Sequence, residues 1–414
     1  MSEGDGEIPA HERRRGSQKG DDPTTDFPPT AGDDSSNGRS TDDAHSADSD
    51  HSMGASGDRS TRSRYDWSRD QLADLLADQP RYRVDQVWTG LYGHGDEPED
   101  WSNLPKSLRS NLTVALPSAL RLAAESVSDD GDTVKWLWTL ADGHQVETVL
   151  MHYPDRATVC VSSQAGCAMA CGFCATGQAG FDRHLTTGEI VEQVVRARRR
   201  ARSDGRRLSN VVFMGMGEPF ANYDRTWAAV ERIHDDLGMG ARHLTLSTVG
   251  IVPGIRRLAE ASLPVNLAVS LHVANDIERD ELVPINRRYP LKVLAEACHH
   301  YVEATHRRLS FEWALIHGVN DSERHARELA AYARPLRAHV NLIPLNPTPG
   351  YRVRGSSPVQ VRRFASVLGD LGINATVRRT RGTDIDAACG QLRATHSTAV
   401  ASPSRSSHRT QGET

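Results

Sequence analysis

The sequence lacks an apolar run long enough to cross a bilayer, and it lacks the short apolar core of a secretory signal near its amino terminus. Cysteine is also scarce, at six in 414 residues. These absences lead us to expect a soluble, cytoplasmic protein that has no membrane partner. In such a reducing compartment, clustered cysteines bind metal or take part in chemistry more often than they form structural disulfides.

Large apolar residues are almost absent from residues 1–64, which are rich in Asp, Ser, Gly, Thr and Arg. Such a segment cannot bury enough surface to offset the entropy lost on ordering, so we predict a disordered acidic tail there and a second disordered tail over 395–414. The amphipathic pattern in YDWSRDQLADLLADQPRYRVDQVWTGLY predicts a small helical accessory domain over 65–117. The remaining 118–394 are expected to form the core.

Short β-rich runs, each followed by a helical pattern, fill most of this core. The runs are ATVCVSS (157–163), NVVFMG (210–215), HLTLST (243–248), VNLAVSLH (265–272), LSFEWALI (309–316), HVNLIPL (339–345) and NATVRR (374–379). Repeated strand and helix units predict an α/β fold with a parallel sheet, as a doubly wound sheet or a full or partial barrel. Ahead of them, VKWLWTL and VETVLMHY around ADGH predict a β-hairpin extension. In either architecture ligands gather at the carboxyl ends of the strands.

Three of the six cysteines, Cys167, Cys171 and Cys174, lie in one short loop, CAMACGFCATG, directly after the first of these strands. Zinc would accept the three thiolates together with a fourth ligand such as Cys160 or a histidine. An iron-sulfur cluster would also accept them, and three thiolates on a four-iron cluster leave one iron open. The residues alone leave both metals possible.

The spacing C-x3-C-x2-C after a first strand, with Phe173 before the last cysteine, resembles the radical S-adenosylmethionine (SAM) superfamily. The resemblance implies a partial (βα)6-type TIM barrel and a [4Fe-4S] cluster on Cys167, Cys171 and Cys174, whose open iron chelates SAM. It further implies a SAM pocket built from the loops GMGEP, TLST, SLH and LNP. The corresponding residues are Gly217, Glu218, Ser247, Ser270, Leu271, His272 and Asn346.

From about residue 65 to 393 the chain resembles, more narrowly, the radical-SAM adenosine methyltransferases of RNA, the RlmN and Cfr family. The motifs that carry this resemblance include LPKSLR, VETV, CVSSQAGCAMACGFCATG, NVVFMGMGEP, NLIPLNP and DIDAACGQL. SLHVAND departs from the family pattern, with Val273 and Ala274 where Ala and Pro are expected. The implied substrates are an adenosine of 23S rRNA at the peptidyl-transferase centre and an adenosine beside the tRNA anticodon. DIDAACGQL is closer to the branch that methylates the 2-carbon than to the alternative branch, which attacks the 8-carbon.

The family resemblance gives roles to two further cysteines and one carboxylate. A first SAM would methylate Cys389, and a second would yield a 5′-deoxyadenosyl radical that takes a hydrogen atom from the S-methyl group. The methylene radical would add to the adenine ring, and Cys160 would then attack the sulfur of Cys389, forming a transient disulfide that frees the product. Glu147 in VETV would accept a proton. The resemblance also implies an electron donor such as flavodoxin or ferredoxin, and we expect a monomer.

Arginine clusters at 196–207, 351–355 and 377–382 fit a partner that carries phosphate. The ordinary alternative for the first cluster is a solvated helix face whose arginines complement the helix dipole. Both readings of the 196–207 run stay open from the sequence, and the helical accessory domain is a further candidate surface for RNA.

Overall fold

A mixed sheet with helices packed against it forms the part of the chain that the structure, a computed structural model, describes: residues 62–346, 353–378, 381–387 and 391–392. Most of the predicted amino-terminal tail and the whole predicted tail at 395–414 lie outside these residues. Arg64, at the end of the former, is buried and pairs with Glu97 at 2.6 Å. No helix in the described ranges is both long and apolar enough for a membrane span.

Three helices precede the sheet, as the amphipathic pattern predicts: α1 (Arg69–Leu75), α2 (Tyr82–Trp88) and α3 (Lys106–Ala115). Ser68 begins α1 with a capping box, in which its hydroxyl accepts from the Gln71 amide while the Gln71 side chain accepts from the Ser68 amide. The indole of Trp88 donates to Asp236 at 2.9 Å, so these helices are fastened to the residues that follow them. The domain boundary predicted after residue 117 stays a prediction.

Twelve strands and eight further helices follow in the described residues. The strands are β1 (Arg121–Val127), β2 (Thr133–Thr139), β3 (Gln145–His152), β4 (Ala157–Cys160), β5 (Gln164–Gly166), β6 (Phe181–His184), β7 (Leu208–Phe213), β8 (Leu244–Thr248), β9 (Asn266–Ser270), β10 (Leu309–Leu315), β11 (His339–Pro344) and β12 (Ala375–Val377). The helices are α4 (Ala175–Ala179), α5 (Thr187–Ser203), α6 (Tyr223–Asp235), α7 (Val252–Ala259), α8 (Asp276–Leu282), α9 (Leu291–Thr305), α10 (Glu323–Ala333) and α11 (Pro358–Asp370).

Ten of the strands form one sheet in the order β1-β2-β3-β4-β7-β8-β9-β10-β11-β12. From β4 to β12 every neighbouring pair is parallel, and a helix joins each strand to the next. The predicted parallel sheet of strand and helix units is therefore confirmed. Its carboxyl edge is the place where the sequence predicts a ligand site.

The predicted hairpin is confirmed as β2 and β3, which pair antiparallel and continue through β3 into β4. The sequence analysis missed β1, which pairs with β2 at the edge of the sheet. Its residues, RLAAESV, are mostly exposed and do not alternate cleanly between apolar and polar, so the usual strand signal is weak. The analysis also missed the separate pair of β5 and β6, which brackets the cysteine loop and fixes its two ends.

Arg279 of α8 is fully buried and ties together the segments that follow β8 and β9. Its guanidinium donates to the Val249 carbonyl at 2.7 Å, to the Leu271 carbonyl at 3.1 Å and to the Asn286 side chain at 2.9 Å. A planar group with five donors can satisfy several acceptors at once, which an ammonium group cannot do in the same geometry. Arg279 therefore sets the spacing of two neighbouring loops at the carboxyl edge of the sheet.

Replacing this guanidinium should destabilise the protein because buried carbonyls would lose their donor. We expect Arg279→Met to lower the free energy of unfolding by about 3 kcal/mol, and Arg279→Lys to recover only a small part of the loss. The measurement is urea denaturation of the cluster-loaded protein under anaerobic conditions. The control, Arg256→Met at an exposed position of α7, should stay within about 0.5 kcal/mol of the parent. If Arg279→Met and this control had equal midpoints of urea denaturation, the stabilising role assigned to the Arg279 guanidinium would be contradicted.

Candidate active site

A cavity of about 1000 Å³, counting its open mouth, lies at the carboxyl edge of the parallel strands, and we call it the strand-end cavity. Its walls come from successive strands and the loops behind them, including Gly215 after β7, Ser247 in β8 and Ser270 in β9. Phe213, Ile343 and Leu345 give it apolar surface. This is where a parallel sheet is expected to bind its ligand.

Cys167, Cys171 and Cys174 all line the strand-end cavity. Burial raises the pKa of the Cys167 thiol to about 12 and pushes the pKa of Cys171 further up. The thiols of Cys174 and Cys167 add to the rise at Cys171, so the three sulfur atoms lie near one another. Without a metal the thiols of Cys167 and Cys171 would stay protonated, whereas metal binding displaces the protons and yields thiolate ligands. The donor set fits an iron-sulfur cluster, which is held by cysteine thiolates.

The loop after β7 brings a buried carboxylate to the same cavity. Glu218 is 2% exposed, and its carboxylate accepts from the amides of Phe220 and Val249, each at 2.9 Å. Burial raises the pKa of Glu218 to about 7, although these two amides oppose the rise. Gly217, just before it, has φ +100°, and a Cβ there would lie 2.5 Å from the Cβ of Gln164. Only glycine therefore fits this turn, which delivers Glu218 to the cavity wall.

His272, after β9, lines the cavity as a neutral ring. Burial lowers its pKa to about 3, and the charge of Arg279 lowers it further. Its Nδ1 accepts from the Ala314 amide at 3.0 Å, which leaves Nε2–H as the donor of the ring. The ring packs edge-to-face on Phe173 of the cysteine loop, with centroids 4.4 Å apart. The loops after β4 and β9 are thus in direct contact.

Five of the seven residues predicted for SAM binding, namely Gly217, Glu218, Ser247, Ser270 and His272, line the strand-end cavity. Leu271 and Asn346 are buried and do not belong to the described lining, although each adjoins a residue that does. Leu271 instead packs in the core, where its carbonyl accepts from Arg279. That these seven residues bind SAM stays a prediction.

Glu147 and Cys160 lie on the same face of two adjacent strands. Cys160 of β4 is the register partner of Val149 in β3, and Glu147 is two positions along β3 from Val149. Neighbouring Thr148 points the other way, toward helix α5, where its hydroxyl donates to Gln193 at 2.8 Å. Because side chains alternate along a strand, Glu147 and Cys160 lie on the face of the sheet opposite α5, which we call its inner face. Both are buried, at 4% and 8% exposure.

Cys389 lies outside the described residues, but residues on both sides of it contact the site. Lys135 of β2 pairs with the Glu147 carboxylate at 3.4 Å and donates to the Asp386 carbonyl at 3.3 Å. The Thr176 hydroxyl, just after the cysteine loop, donates to the Leu392 carbonyl. Chain segments three residues to either side of Cys389 are therefore held beside Glu147 and beside the cysteine loop.

The sequence analysis missed Glu312 in the strand-end cavity, and it considered the partner of this residue, Arg378, only as part of the arginine cluster at 377–382. Glu312, in the middle of β10, is buried and accepts from Asn341 at 2.8 Å, and Arg378 lies 3.4 Å from its carboxylate. Burial raises the pKa of Glu312, which the Arg378 charge opposes. The one available signal was a carboxylate inside the apolar run LSFEWALI, where a buried charge needs a partner. That partner is about 66 residues further along the chain.

Known proteins are similar to this chain in sequence and in fold. The model of the Radical SAM superfamily matches residues 161–330. A protein from Myxococcus xanthus named dual-specificity RNA methyltransferase RlmN 1 is 51% identical over 80% of this chain and 94% of its own length. One from Frankia casuarinae, named probable dual-specificity RNA methyltransferase RlmN, is 52% identical over 81% and 83%.

A crystal structure agrees with these relatives. A radical SAM methyltransferase from Sphaerobacter thermophilus superposes with a TM-score of 0.78 at 51% identity, covering 80% of this chain and 99% of that one. Identity of this order covers four fifths of the chain. The chain belongs to the RlmN family of radical SAM methyltransferases.

Proposed function

We propose that this protein methylates the 2-carbon of adenine in RNA, acting on 23S rRNA and on tRNA. The observation that carries the proposal is that one sheet positions two sets of residues. The cysteine loop, Glu218 and His272 share the strand-end cavity, while Glu147 and Cys160 share the inner face of β3 and β4. The names of the relatives, which are dual-specificity RNA methyltransferases, support the same activity.

The radical SAM family implies a [4Fe-4S] cluster, and Cys167, Cys171 and Cys174 would hold it. When bound, this cluster supplies the electron that cleaves SAM. The ionised Glu218 carboxylate would bind the ammonium group of SAM, and His272 Nε2–H would donate to an oxygen or nitrogen of it. The apolar walls of the cavity would keep water from the reactive carbon centres.

Glu147 and Cys160 are suited to the later steps. The Lys135 ammonium at 3.4 Å favours the ionised form of Glu147, so that the carboxylate can accept the proton which the adenine ring must lose. Cys160 would attack the sulfur of Cys389 as a thiolate, which joins the two sulfur atoms and breaks the bond between that sulfur and the transferred CH2 carbon. That carbon would leave with the bonding electron pair, delocalised into the adenine ring, and take up a proton to become the methyl group. We further propose that a flavodoxin or ferredoxin supplies the electrons and that the chain acts as a cytoplasmic monomer.

The regiochemistry can be read directly from cellular RNA. Nuclease digestion and mass spectrometry should show that 2-methyladenosine disappears from the 23S rRNA and tRNA of a deletion strain. It should return with the wild-type gene and stay absent with Cys389→Ala. Persistence of 2-methyladenosine in the deletion strain would refute the proposal, and loss of 8-methyladenosine instead would assign the protein to the alternative branch.

The role of Cys160 predicts a trapped intermediate. Cys160→Ala should still accept a methyl group on Cys389 but fail to release the product, so that a covalent complex of protein and RNA accumulates in a denaturing gel. The control is Cys298→Ala, because Cys298 is fully buried in α9 and does not line the strand-end cavity. It should turn over normally without an adduct. Normal turnover by Cys160→Ala would remove the resolving role.

The pKa of Glu218 predicts how SAM binding depends on pH. In the protein without ligand this pKa is about 7, and only the ionised carboxylate can pair with the SAM ammonium. SAM affinity should therefore be constant above pH 7 and fall by about tenfold per unit below it. Anaerobic equilibrium dialysis between pH 6 and 8 measures this, with iron content checked at each pH. Glu218→Gln should bind weakly at every pH; a wild-type affinity that is flat across this range would contradict the assignment.

A further inference from the structure

A second pocket lies at the opposite, amino-terminal edge of the parallel strands. Arg207 and Ser209 at the start of β7, Arg242 and His243 before β8, and Arg307 before β10 contribute to it. Arg198 of α5 completes it. We call it the basic pocket, and it is defined by the side chains of Arg198, Arg207, Arg242, His243 and Arg307.

The basic pocket carries positive charge with no nearby carboxylate. Its lining contains no Asp or Glu, and among the described residues none of its four arginines has a carboxylate oxygen within 4.0 Å. Arg198 donates only to the backbone carbonyls of Tyr92 and Leu237, at 3.1 and 3.4 Å. The Nε of Arg307 is buried and has no hydrogen-bond partner. A group of cations without counter-charge is a favourable place for an anion.

The remaining arginines of the 196–207 run are used differently. Arg196, Arg199 and Arg202 pair with acidic residues that follow α2, and Arg200 pairs with carboxylates of β1 and of its own helix end. These acidic partners are Asp96, Glu97, Glu125, Glu192 and Asp204. The structure therefore divides the run: four of its seven arginines pair with carboxylates, Arg206 donates to the Tyr153 carbonyl, and Arg198 and Arg207 are left to the basic pocket.

The pKa of His243, the histidine of the basic pocket, is lowered by burial and by the same positive charges. Burial lowers the pKa of His243, and the charges of Arg242 and Arg207 lower it further. Its Nδ1 lies 3.1 Å from the side-chain oxygen of Asn210, and Arg242 Nε donates to its Nε2 at 3.3 Å. The groups that face His243 from β7 and from the turn before β8 are thus basic or neutral, so nothing on these elements offsets the arginines.

We propose that the basic pocket binds the phosphate backbone of the substrate RNA at a point distant from the methylated adenine. This rests on the proposed function, which supplies RNA as the polyanion that the enzyme must hold. β7 runs from the basic pocket at Leu208 to the strand-end cavity at Phe213, a span of about 17 Å. The phosphates bound there belong to another part of the RNA than the target nucleotide. Such contacts orient the RNA without reading its sequence.

The experiment compares two double variants that change the net charge equally. Arg207→Gln/Arg242→Gln removes two exposed arginines of the pocket that form no ion pair within the described part of the chain. Arg327→Gln/Arg363→Gln removes two exposed arginines that pair with Glu323 on the surface of α10 and α11. Binding of full-length tRNA is measured by fluorescence anisotropy across a range of salt concentrations, and methylation is measured at saturating tRNA.

The pocket variant should bind tRNA on the order of tenfold more weakly near 0.1 M salt. Its salt slope, which is the slope of the logarithm of the association constant against the logarithm of the salt concentration, should fall in magnitude by about 1.5 because two phosphate contacts are lost. The control variant should match the wild type, and kcat should be unchanged in both. Arg207→Lys/Arg242→Lys, which keeps the charge, should restore most of the affinity and so separates charge loss from misfolding.

Equal affinity and salt slope for the pocket variant and the control would overturn the proposal. A second result would also overturn it: the pocket binds inorganic phosphate in equilibrium dialysis, but the salt slope of the pocket variant for tRNA equals that of the control. The pocket would then be a site for free anions and not for RNA. Binding is measured without turnover. The two proposals can therefore fail separately. If the pocket variant loses tRNA affinity as predicted but the wild-type protein makes no 2-methyladenosine, the proposed function is refuted and this inference still holds.

Discussion

The guanidinium group of Arg279 lies entirely inside the protein and donates to backbone carbonyls at the ends of β8 and β9. Because Ser247 and Ser270 lie at these strand ends and His272 follows β9, the relative positions of the three residues depend on one side chain of a seven-residue helix. The same charge lowers the pKa of His272 and opposes the rise of the Cys171 pKa. A single buried cation thus sets both the shape and the electrostatics of the strand-end cavity.

Burial decides the chemistry of the other polar groups around this cavity. It raises the pKa of Glu218 and of the Cys167 and Cys171 thiols, and it keeps His272 neutral. Each of these groups is therefore in a form that changes when a ligand arrives: the thiols lose protons to a metal, and the carboxyl ionises beside an ammonium group. Hydrogen bonds from backbone amides already offset part of the cost of burying Glu218 and His272, and bound cofactors would add to this. This coupling explains why such groups meet in one place rather than being spread over the surface.

The two edges of the parallel sheet carry different kinds of residue. Cysteines, carboxylates and a neutral histidine line the carboxyl edge, whereas arginines without carboxylate partners line the amino edge. Between them, the arginine run of α5 mainly fastens the amino-terminal helices, since its partners Asp96 and Glu97 follow α2. A basic sequence run therefore does not by itself mark a nucleic-acid surface, because the neutralisation of each arginine depends on residues far away in the chain.

The sequence by itself determined the succession of strands and helices and the position of the cysteine loop, because hydrophobic period and cysteine spacing are local properties. The cofactor of that loop followed from the resemblance to the radical SAM family and not from the spacing alone. The sequence also placed Glu147 and Cys160 on adjacent strands, which the antiparallel pairing of β3 and β4 confirms. Only the tertiary structure decided which buried charges meet, such as Glu312 with Arg378 and Arg279 with the carbonyls after β8 and β9. Those contacts join residues separated by many positions, and the energetic cost of burying an unpaired charge, which no local pattern records, is what makes them necessary.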